Sequence, residues 1–133
     1  MDDGFVSPLL LQIATALQAA FPRILGALPL SYLWGFKYDQ SSQGIRLHAD
    51  QAQVNLNFWL TPDSANLDPE GGGLQVYDKM APPEWDFQAY NDQSSQARMQ
   101  SYLLFSQAKL LRIPHRQNRA VLFHSRLIHR TDP

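Results

Sequence analysis

The segment from Val54 to Leu60 constrains the fold most, because its residue types alternate strictly. One set of positions carries apolar side chains, and the other carries Asn55, Asn57 and Trp59. Successive side chains of a β-strand point to opposite faces, so this pattern predicts a strand with one apolar face and one amide-bearing face. The amide-bearing face either lines a pocket, where buried amides need hydrogen-bond partners, or faces solvent on an exposed sheet. The segment alone leaves both interpretations open.

Other short segments of strand-like composition are separated by Pro, Gly or polar turns. They are Leu30 to Tyr38, the segment around His48, Leu74 to Asp78, Leu110 to Ile113 and Ala120 to Phe123. Helices are predicted only near the start, over residues 8–21, and in an insertion over residues 83–107. This arrangement predicts a single, mainly β domain over residues 1–133, with its β core in residues 30–133. The fold class that it favours is an antiparallel jelly roll.

The composition narrows the classes of function. The chain has 133 residues, 44% of them hydrophobic, which suffices for one domain with a core. It has no cysteine, so a metal would be held by His, Asp or Glu. A net charge of -1 gives no overall attraction to nucleic acid or to anionic membranes. Because neither a signal peptide nor a membrane-spanning stretch is recognisable, we expect a cytoplasmic protein that binds neither nucleic acid nor membrane.

Charge is unevenly distributed along the chain. From Lys109 to Arg130 there are six basic residues and no acidic one. From Asp63 to Asp92 there are seven acidic residues, against Lys79 alone. The two regions are either solvated faces that attract each other, or the basic one is a cationic rim that favours an anionic small molecule.

His48 and Asp50 are two residues apart, so on a strand both side chains point to the same side. This geometry suits a metal chelate, although a histidine hydrogen-bonded to an aspartate at a strand edge has the same pattern. A neutral imidazole and a carboxylate are two of the three ligands in the facial site of non-haem Fe(II). The third would be a distant histidine, and the candidate is His129. We expect His115 to be exposed, and His124 to be structural or to face solvent.

Three motifs carry a resemblance to a known family. They are His48-Ala-Asp50, Gly72-Gly73-Leu74 and the segment from Ala120 to His129. They resemble the His-x-Asp motif, the glycine pair that opens a middle strand, and the late strand with an aromatic residue, a serine and the distal histidine. All three are features of the iron(II)- and 2-oxoglutarate-dependent dioxygenases, a cupin-like family with a double-stranded β-helix fold. The resemblance covers the chain from about Trp34 onward and is closest to bacterial members described only as oxygenases.

By this resemblance, His48, Asp50 and His129 hold Fe(II), and 2-oxoglutarate and O₂ occupy the three remaining positions on the metal. Decarboxylation of the co-substrate would generate the oxidant that hydroxylates or otherwise oxidises a C–H bond of the substrate. The same resemblance implies that four further residues orient the co-substrate, namely Tyr38, Asn55, Asn57 and Trp59.

The chain departs from the family in one feature. Family members place an Arg or Lys about a strand's length beyond the distal histidine, where it clamps the far carboxylate of 2-oxoglutarate. This chain ends at Pro133, and Arg130 is too close to His129 for that role. We expect either a longer natural chain, in which case the present one would lack a closing strand and its activity, or a co-substrate that is held differently.

Two rival functions stay open at this point. One is a cupin-type metal enzyme that does not use 2-oxoglutarate, and the other is a metal-free jelly-roll binding module. The substrate, whether a small molecule or a peptide, and the oligomeric state cannot be read from the sequence.

Overall fold

The computed structural model of the chain describes residues 7–38 and 44–132, apart from the side chain of Gln93. The chain divides into two compact units, Met1–Asp39 and Gln40–Pro133, and each is described by itself. The described part of the first unit contains one α-helix, and that of the second contains antiparallel β-sheets and two α-helices. A single oxygenase-like domain over residues 1–133 stays a prediction.

The first unit contains the helix α1, Pro8–Ala20. The side-chain oxygen of Ser7 accepts a hydrogen bond from the backbone N–H of Leu10, and Pro8 occupies the first helical position, where no donor is needed. The helix ends before Phe21, and Pro22 cannot continue it. The helix predicted over residues 8–21 is therefore present with nearly the same bounds. In the described residues, no helix combines the length and the apolar character needed to cross a membrane.

The segment from Leu30 to Tyr38 is not a strand, so this prediction was wrong. Its alternate aromatic rings stack in pairs along the chain, Tyr32 on Trp34 at 6.0 Å between centroids and Phe36 on Tyr38 at 6.2 Å. Among the described residues, no other segment forms a β-ladder with this one. The alternation therefore produces local stacking, and strand composition alone does not make a sheet without a partner.

The second unit contains five described strands in two antiparallel sheets. They are β1 Val54–Phe58, β2 Leu74–Met80, β3 Leu110–Ile113, β4 Ala120–His124 and β5 Leu127–Thr131. Strand β1 pairs with β4, and the other sheet has the order β3-β2-β5. This confirms the prediction of antiparallel β-structure with a few helices, while the jelly roll stays a prediction.

The strand predicted over Ala120 to Phe123 is present as β4, but the segment to His129, which resembles one late strand of the family, continues into a second strand, β5, in the other sheet. The chain turns between them at Ser125 and Arg126. The backbone of Ser125 accepts a hydrogen bond from the N–H of Asp50 at 2.9 Å and donates one to Gln53 at 3.2 Å. Because this turn contains neither Gly nor Pro and depends on a distant segment, the local pattern gave no sign of it.

The segment around His48 is also not a regular strand. Its backbone forms one isolated bridge, in which the N–H of His48 bonds to the carbonyl of His129 at 3.0 Å and the reverse bond is 2.9 Å. Beyond this bridge the segment leaves β5, because the N–H of Asp50 turns to Ser125. The bridge fixes the register that brings His48 directly beside His129.

Two glycines precede β2 where the chain approaches another strand closely. A Cβ atom added at Gly73 would lie 2.3 Å from the carbonyl oxygen of Ile113, and Gly72 has a φ of +72°. Both positions therefore need glycine.

The helical insertion contains α2, Phe87–Asn91, and α3, Gln96–Phe105, both inside the predicted range of residues 83–107. The carboxylate of Asp86 caps α2 by accepting the N–H of Ala89 at 2.8 Å. The insertion packs its buried side onto the His48 segment and β5. The buried core that results comprises Leu47, Ala49, Ala81, Trp85, Tyr90, Met99, Leu103 and Ile128.

Candidate metal centre

The side chains of the His48 segment alternate between the core and the candidate site. Leu47 is 4% exposed and Ala49 is fully buried, and both belong to the hydrophobic core. His48 and Asp50 therefore project to the opposite side. The two-residue spacing predicted this arrangement, and the buried neighbours hold it in place although the segment is not a regular strand.

The helical insertion holds the same segment through its backbone carbonyls. The side-chain amide of Gln96 donates to the carbonyl of Leu47 at 2.7 Å, and that of Asn91 donates to the carbonyl of Ala49 at 2.9 Å. The opposite edge of the segment bonds to β5. The backbone that carries the two candidate ligands is thus fixed from both sides. Sequence reasoning missed both amides, because nothing in the pattern distinguishes them from solvated helix residues.

The fold brings His48, Asp50 and His129 together. Their potential ligand atoms, one from each residue, all lie within 4.8 Å of one another. Nε2 of His48 lies 3.8 Å from one carboxylate oxygen of Asp50, and Nε2 of His129 lies 3.4 Å from the other. The two imidazole rings are 4.2 Å apart between centroids. This is the grouping that the sequence predicted.

In both imidazoles, the Nδ1 atom is hydrogen-bonded to a backbone carbonyl. Nδ1 of His48 lies 2.8 Å from the carbonyl oxygen of Arg46, and Nδ1 of His129 lies 2.7 Å from that of Leu127. Because a carbonyl oxygen only accepts hydrogen bonds, each Nδ1 must carry the proton. In a neutral ring Nε2 then carries the lone pair that a metal requires, whereas in a protonated ring it can donate a hydrogen bond to Asp50.

The separations among these atoms suit a single metal ion. Ligand atoms bound at about 2.1 Å in neighbouring positions around one ion are about 3 Å apart, so small side-chain movements would close the site on a metal. Two imidazoles and a carboxylate on one side of the ion match the facial donor set of non-haem Fe(II) and leave its other positions open. The exposed side-chain fraction rises from 3% at His129 through 18% at His48 to 39% at Asp50. Access to the site is therefore from the side of Asp50.

Asn55 orients the carboxylate of Asp50. Its side-chain nitrogen donates to Asp50, and its side-chain oxygen accepts the hydroxyl of Ser125 at 2.7 Å. Ser125 is fully buried, so the relay from Ser125 through Asn55 to Asp50 starts from a fixed point. This settles the alternative left open for Asn55, which faces the site and not solvent. The predicted contact of Asn55 with a co-substrate stays a prediction.

Electrostatics favour the metal-binding protonation states of His48 and Asp50. Burial, and then the nearby His129, lower the pKa of His48 below its ordinary value of 6.5, so the neutral ligand form persists to lower pH. Burial alone would raise the pKa of Asp50. Hydrogen bonds from His129 and Asn55 and the charges of the two histidines outweigh it, so the pKa of Asp50 is lowered and the carboxylate stays ionised.

Phe123 covers one side of the site. Its ring meets the ring of His129 edge to face, with 4.9 Å between centroids and an interplanar angle of 75°. The contact limits rotation of the imidazole and keeps water from that side of it. The residue lies on β4 opposite Asn55 of β1, so the small sheet contributes both groups.

The other residues expected to orient a co-substrate are placed differently. Asn57 is half-buried on β1. The indole N–H of Trp59 donates to the carbonyl of Gly72 at 3.2 Å, and its ring lies edge-on to His115. Tyr38 belongs to the first unit, where it stacks on Phe36. Among the described residues, neither Asn57 nor Trp59 contacts the three candidate ligands. For Asn57, Trp59 and Tyr38 alike, contact with a co-substrate stays a prediction.

The two remaining histidines, His115 and His124, differ in their exposure to solvent. His115 was predicted to be exposed, but its side chain is only 7% exposed, because it lies beside Trp59 and bonds to the hydroxyl of Thr61 at 3.1 Å. The prediction for His115 was therefore wrong. His124 is exposed and accepts the backbone N–H of Arg126 at 3.1 Å, which agrees with the prediction that it is structural or faces solvent.

No protein-family model, curated protein or solved structure matches the chain. Its function is therefore inferred from the geometry and chemistry of the site.

Proposed function

We propose that the chain is an Fe(II)- and 2-oxoglutarate-dependent oxygenase of the jelly-roll type, which oxidises a C–H bond of an organic substrate. One observation carries the proposal: the Nε2 atoms of His48 and His129 converge on the carboxylate of Asp50, while both Nδ1 atoms are held by backbone carbonyls. A histidine merely paired with an aspartate would need neither the second imidazole nor the two fixed tautomers.

The charge of the site suits an anionic chelating co-substrate. Two neutral imidazoles and one carboxylate leave a bound divalent cation with a net positive charge, and a 2-oxo acid offers both an anionic and a neutral oxygen. When bound, Fe(II) together with 2-oxoglutarate and O₂ would supply the oxidant as the co-substrate loses CO₂.

The surrounding residues would hold the ligands in place. Asn55, itself held by Ser125, keeps the carboxylate of Asp50 turned toward the imidazoles. The bridge between His48 and His129 fixes the distance between the two rings, and Phe123 shields the second ring from water. These residues fix the ligand geometry before the metal binds.

A metal enzyme that does not use 2-oxoglutarate is a second candidate, favoured by the contacts of three arginines in the second unit. Arg112 donates to Asp132, Arg126 to two backbone carbonyls, and Arg130 to Gln75. None of these described contacts offers a guanidinium to an anion bound at the metal centre. This candidate keeps the metal site and removes only the co-substrate.

The deciding experiment is an anaerobic titration of the purified chain, first with Fe(II) and then with 2-oxoglutarate. Chelation of the 2-oxo acid to iron produces a weak visible charge-transfer band, which we expect with the wild-type chain. Asp50→Asn should lose the band, because it removes the anionic ligand with little change in shape. The matched control is Glu84→Gln, which makes the same change on an exposed residue away from the site and should keep the band.

Each other result has a distinct meaning. Tight Fe(II) binding without a band would replace the proposed activity by the metal enzyme without 2-oxoglutarate. A chain that binds no Fe(II), or a band that survives in Asp50→Asn, would overturn the metal site itself and favour a metal-free binding module.

A further inference from the structure

A cavity of about 350 Å³ lies beside the segment that carries His48 and the strand β5 that carries His129. Its polar lining includes Arg46, Gln96, Gln100, Arg130 and Thr131. The cavity is within the usual volume range for small-molecule sites. No lining residue among those described is acidic, so two guanidinium groups set the sign of its charge.

A chain of hydrogen bonds orients Arg130. Arg112 donates to both carboxylate oxygens of Asp132, at 3.1 and 2.9 Å, and Gln75 donates its side-chain amide to the same carboxylate. With its nitrogen directed to Asp132, the amide of Gln75 presents its oxygen to Nε of Arg130, at 2.7 Å. Gln75 is 1% exposed, so the partner that fixes this guanidinium is itself buried.

The fixed arginine keeps free donors. Its contact with Gln75 uses only Nε, and no described residue accepts a hydrogen bond from either Nη group of Arg130. Paired N–H groups of a guanidinium match the two oxygens of a carboxylate or the oxygens of a phosphate. Arg130 is thus positioned by the fold and retains the donors that recognise an oxyanion.

Arg46 supplies a second charge to the cavity. Its guanidinium forms no hydrogen bond or ion pair with any of the residues that the structure describes. The amide of Gln96 is occupied by the carbonyl of Leu47, whereas no described group bonds to the side-chain amide of Gln100, which leaves it available as a neutral donor. Two cations and one amide around a small cavity form a site complementary to an anion.

We propose that this cavity binds a small oxyanion, a carboxylate or a phosphate, at a site separate from the metal centre. The cavity lining includes none of His48, Asp50 and His129, and Arg130 projects to the opposite side of β5 from the adjacent His129. The proposal therefore does not depend on the proposed oxygenase function. It also gives Arg130 a role among the six basic residues that the sequence places between Lys109 and Arg130.

The test is calorimetric titration of the metal-free chain at low ionic strength, once with inorganic phosphate and once with malonate. We expect saturable binding of at least one, and the stronger of the two identifies the class of ligand. Arg46→Gln and Arg130→Gln should each weaken that binding about tenfold or more, because each removes charge-assisted hydrogen bonds. Arg46→Gln disturbs no described contact, so it tests the site without threatening the fold.

Two controls distinguish binding in the cavity from general charge attraction and from binding at the metal centre. Arg116→Gln makes the same charge change on an exposed arginine outside the cavity lining and should leave binding unchanged. Asp50→Asn should also leave it unchanged, because the metal centre is not involved. No saturable binding to the wild-type chain, or equal weakening by all three arginine variants, would overturn the proposal.

Discussion

At the residue scale, Asn55 and Ser125 determine how Asp50 faces the two imidazoles. Because the carboxylate can only accept a hydrogen bond, the amide nitrogen of Asn55 must point to it. The amide oxygen of Asn55 then accepts a hydrogen bond from the hydroxyl of Ser125. The neighbouring Asn57 makes no such contact with the described residues. Two asparagines of one strand face therefore have different roles.

We predict that Asn55→Ala weakens Fe(II) binding about 10- to 100-fold, the usual effect of removing a partner that orients a metal ligand. Ser125→Ala should have a smaller effect in the same direction, because the amide would keep its bond to Asp50. Anaerobic titration with Fe(II) measures both. Asn57→Ala is the matched control, and an equal loss in that variant would contradict the assigned role of Asn55.

The lowered pKa of His48 makes stability depend on pH. When pH falls below the ordinary value of 6.5, the unfolded chain takes up a proton at His48 while the folded chain does not. We therefore predict that the metal-free chain loses stability from pH 6.5 downward, until the pH reaches the lowered pKa of the folded state. His48→Gln should reduce this loss.

Chemical unfolding at a series of pH values measures the effect of His48. The control is His124→Gln, which replaces an exposed histidine. The folded-state titration of His48 is read independently from its imidazole NMR signals. A wild-type pH dependence that His48→Gln leaves unchanged would show that burial does not hold this imidazole neutral.

At the element scale, the helical insertion positions the segment that carries the candidate ligands His48 and Asp50. Among the described residues, the segment makes one isolated bridge to β5 and one further backbone hydrogen bond, from the N–H of Thr131 to the carbonyl of Ile45, so it lacks the regular ladder that normally holds a strand. Instead, the side-chain amide of Asn91 on α2 donates to the backbone carbonyl of Ala49, and that of Gln96 on α3 donates to the carbonyl of Leu47. The helices thus act as a replacement for a neighbouring strand.

We predict that Asn91→Ala and Gln96→Ala each lower the free energy of unfolding by about 1 to 3 kcal/mol, because each leaves a partly buried carbonyl without its partner. Each should also weaken Fe(II) binding, since the segment between them carries His48 and Asp50. Thermal or chemical unfolding and Fe(II) titration provide the two readouts. Gln88→Ala, at an exposed position on α2, should change neither quantity. Unaltered Fe(II) binding in both Asn91→Ala and Gln96→Ala would contradict the proposed role of these two amides.

Local rules of sequence and structure account for part of the fold. Helix α1 has Ser7 and Pro8 at its start and Pro22 beyond its end, and β1 has strict alternation, so both could be predicted from nearby residues alone. The common side of His48 and Asp50 followed from their spacing. These features depend on backbone geometry that repeats every two or every 3.6 residues.

Features that depend on distant partners were not predictable in this way. Leu30 to Tyr38 has strand composition, but no described segment forms a β-ladder with it, and the turn at Ser125 is held by the backbone near Asp50. The burial of His115 follows from Trp59 and Thr61, which are far away in sequence. The sequence pattern records what a residue can do locally, whereas its neighbours in space decide these cases.

At the scale of the whole molecule, the candidate centre draws on both sheets. His129 belongs to the sheet of order β3-β2-β5, while Asn55 and Phe123 come from the sheet of β1 and β4. Asp50 lies on the segment that passes between them through its bonds to β5 and Ser125. Metal binding at this candidate centre would therefore depend on how the two sheets lie relative to each other as well as on the three candidate ligands.

The most direct measurement is a crystal structure of the chain grown with Mn(II), a redox-stable substitute for Fe(II), using the anomalous signal to locate the metal. We predict one strong peak about 2.2 Å from Nε2 of His48, Nε2 of His129 and a carboxylate oxygen of Asp50. Nδ1 of both histidines should stay on the carbonyls of Arg46 and Leu127. A peak elsewhere, or three well-ordered side chains with no metal among them at saturating Mn(II), would contradict the proposed metal centre.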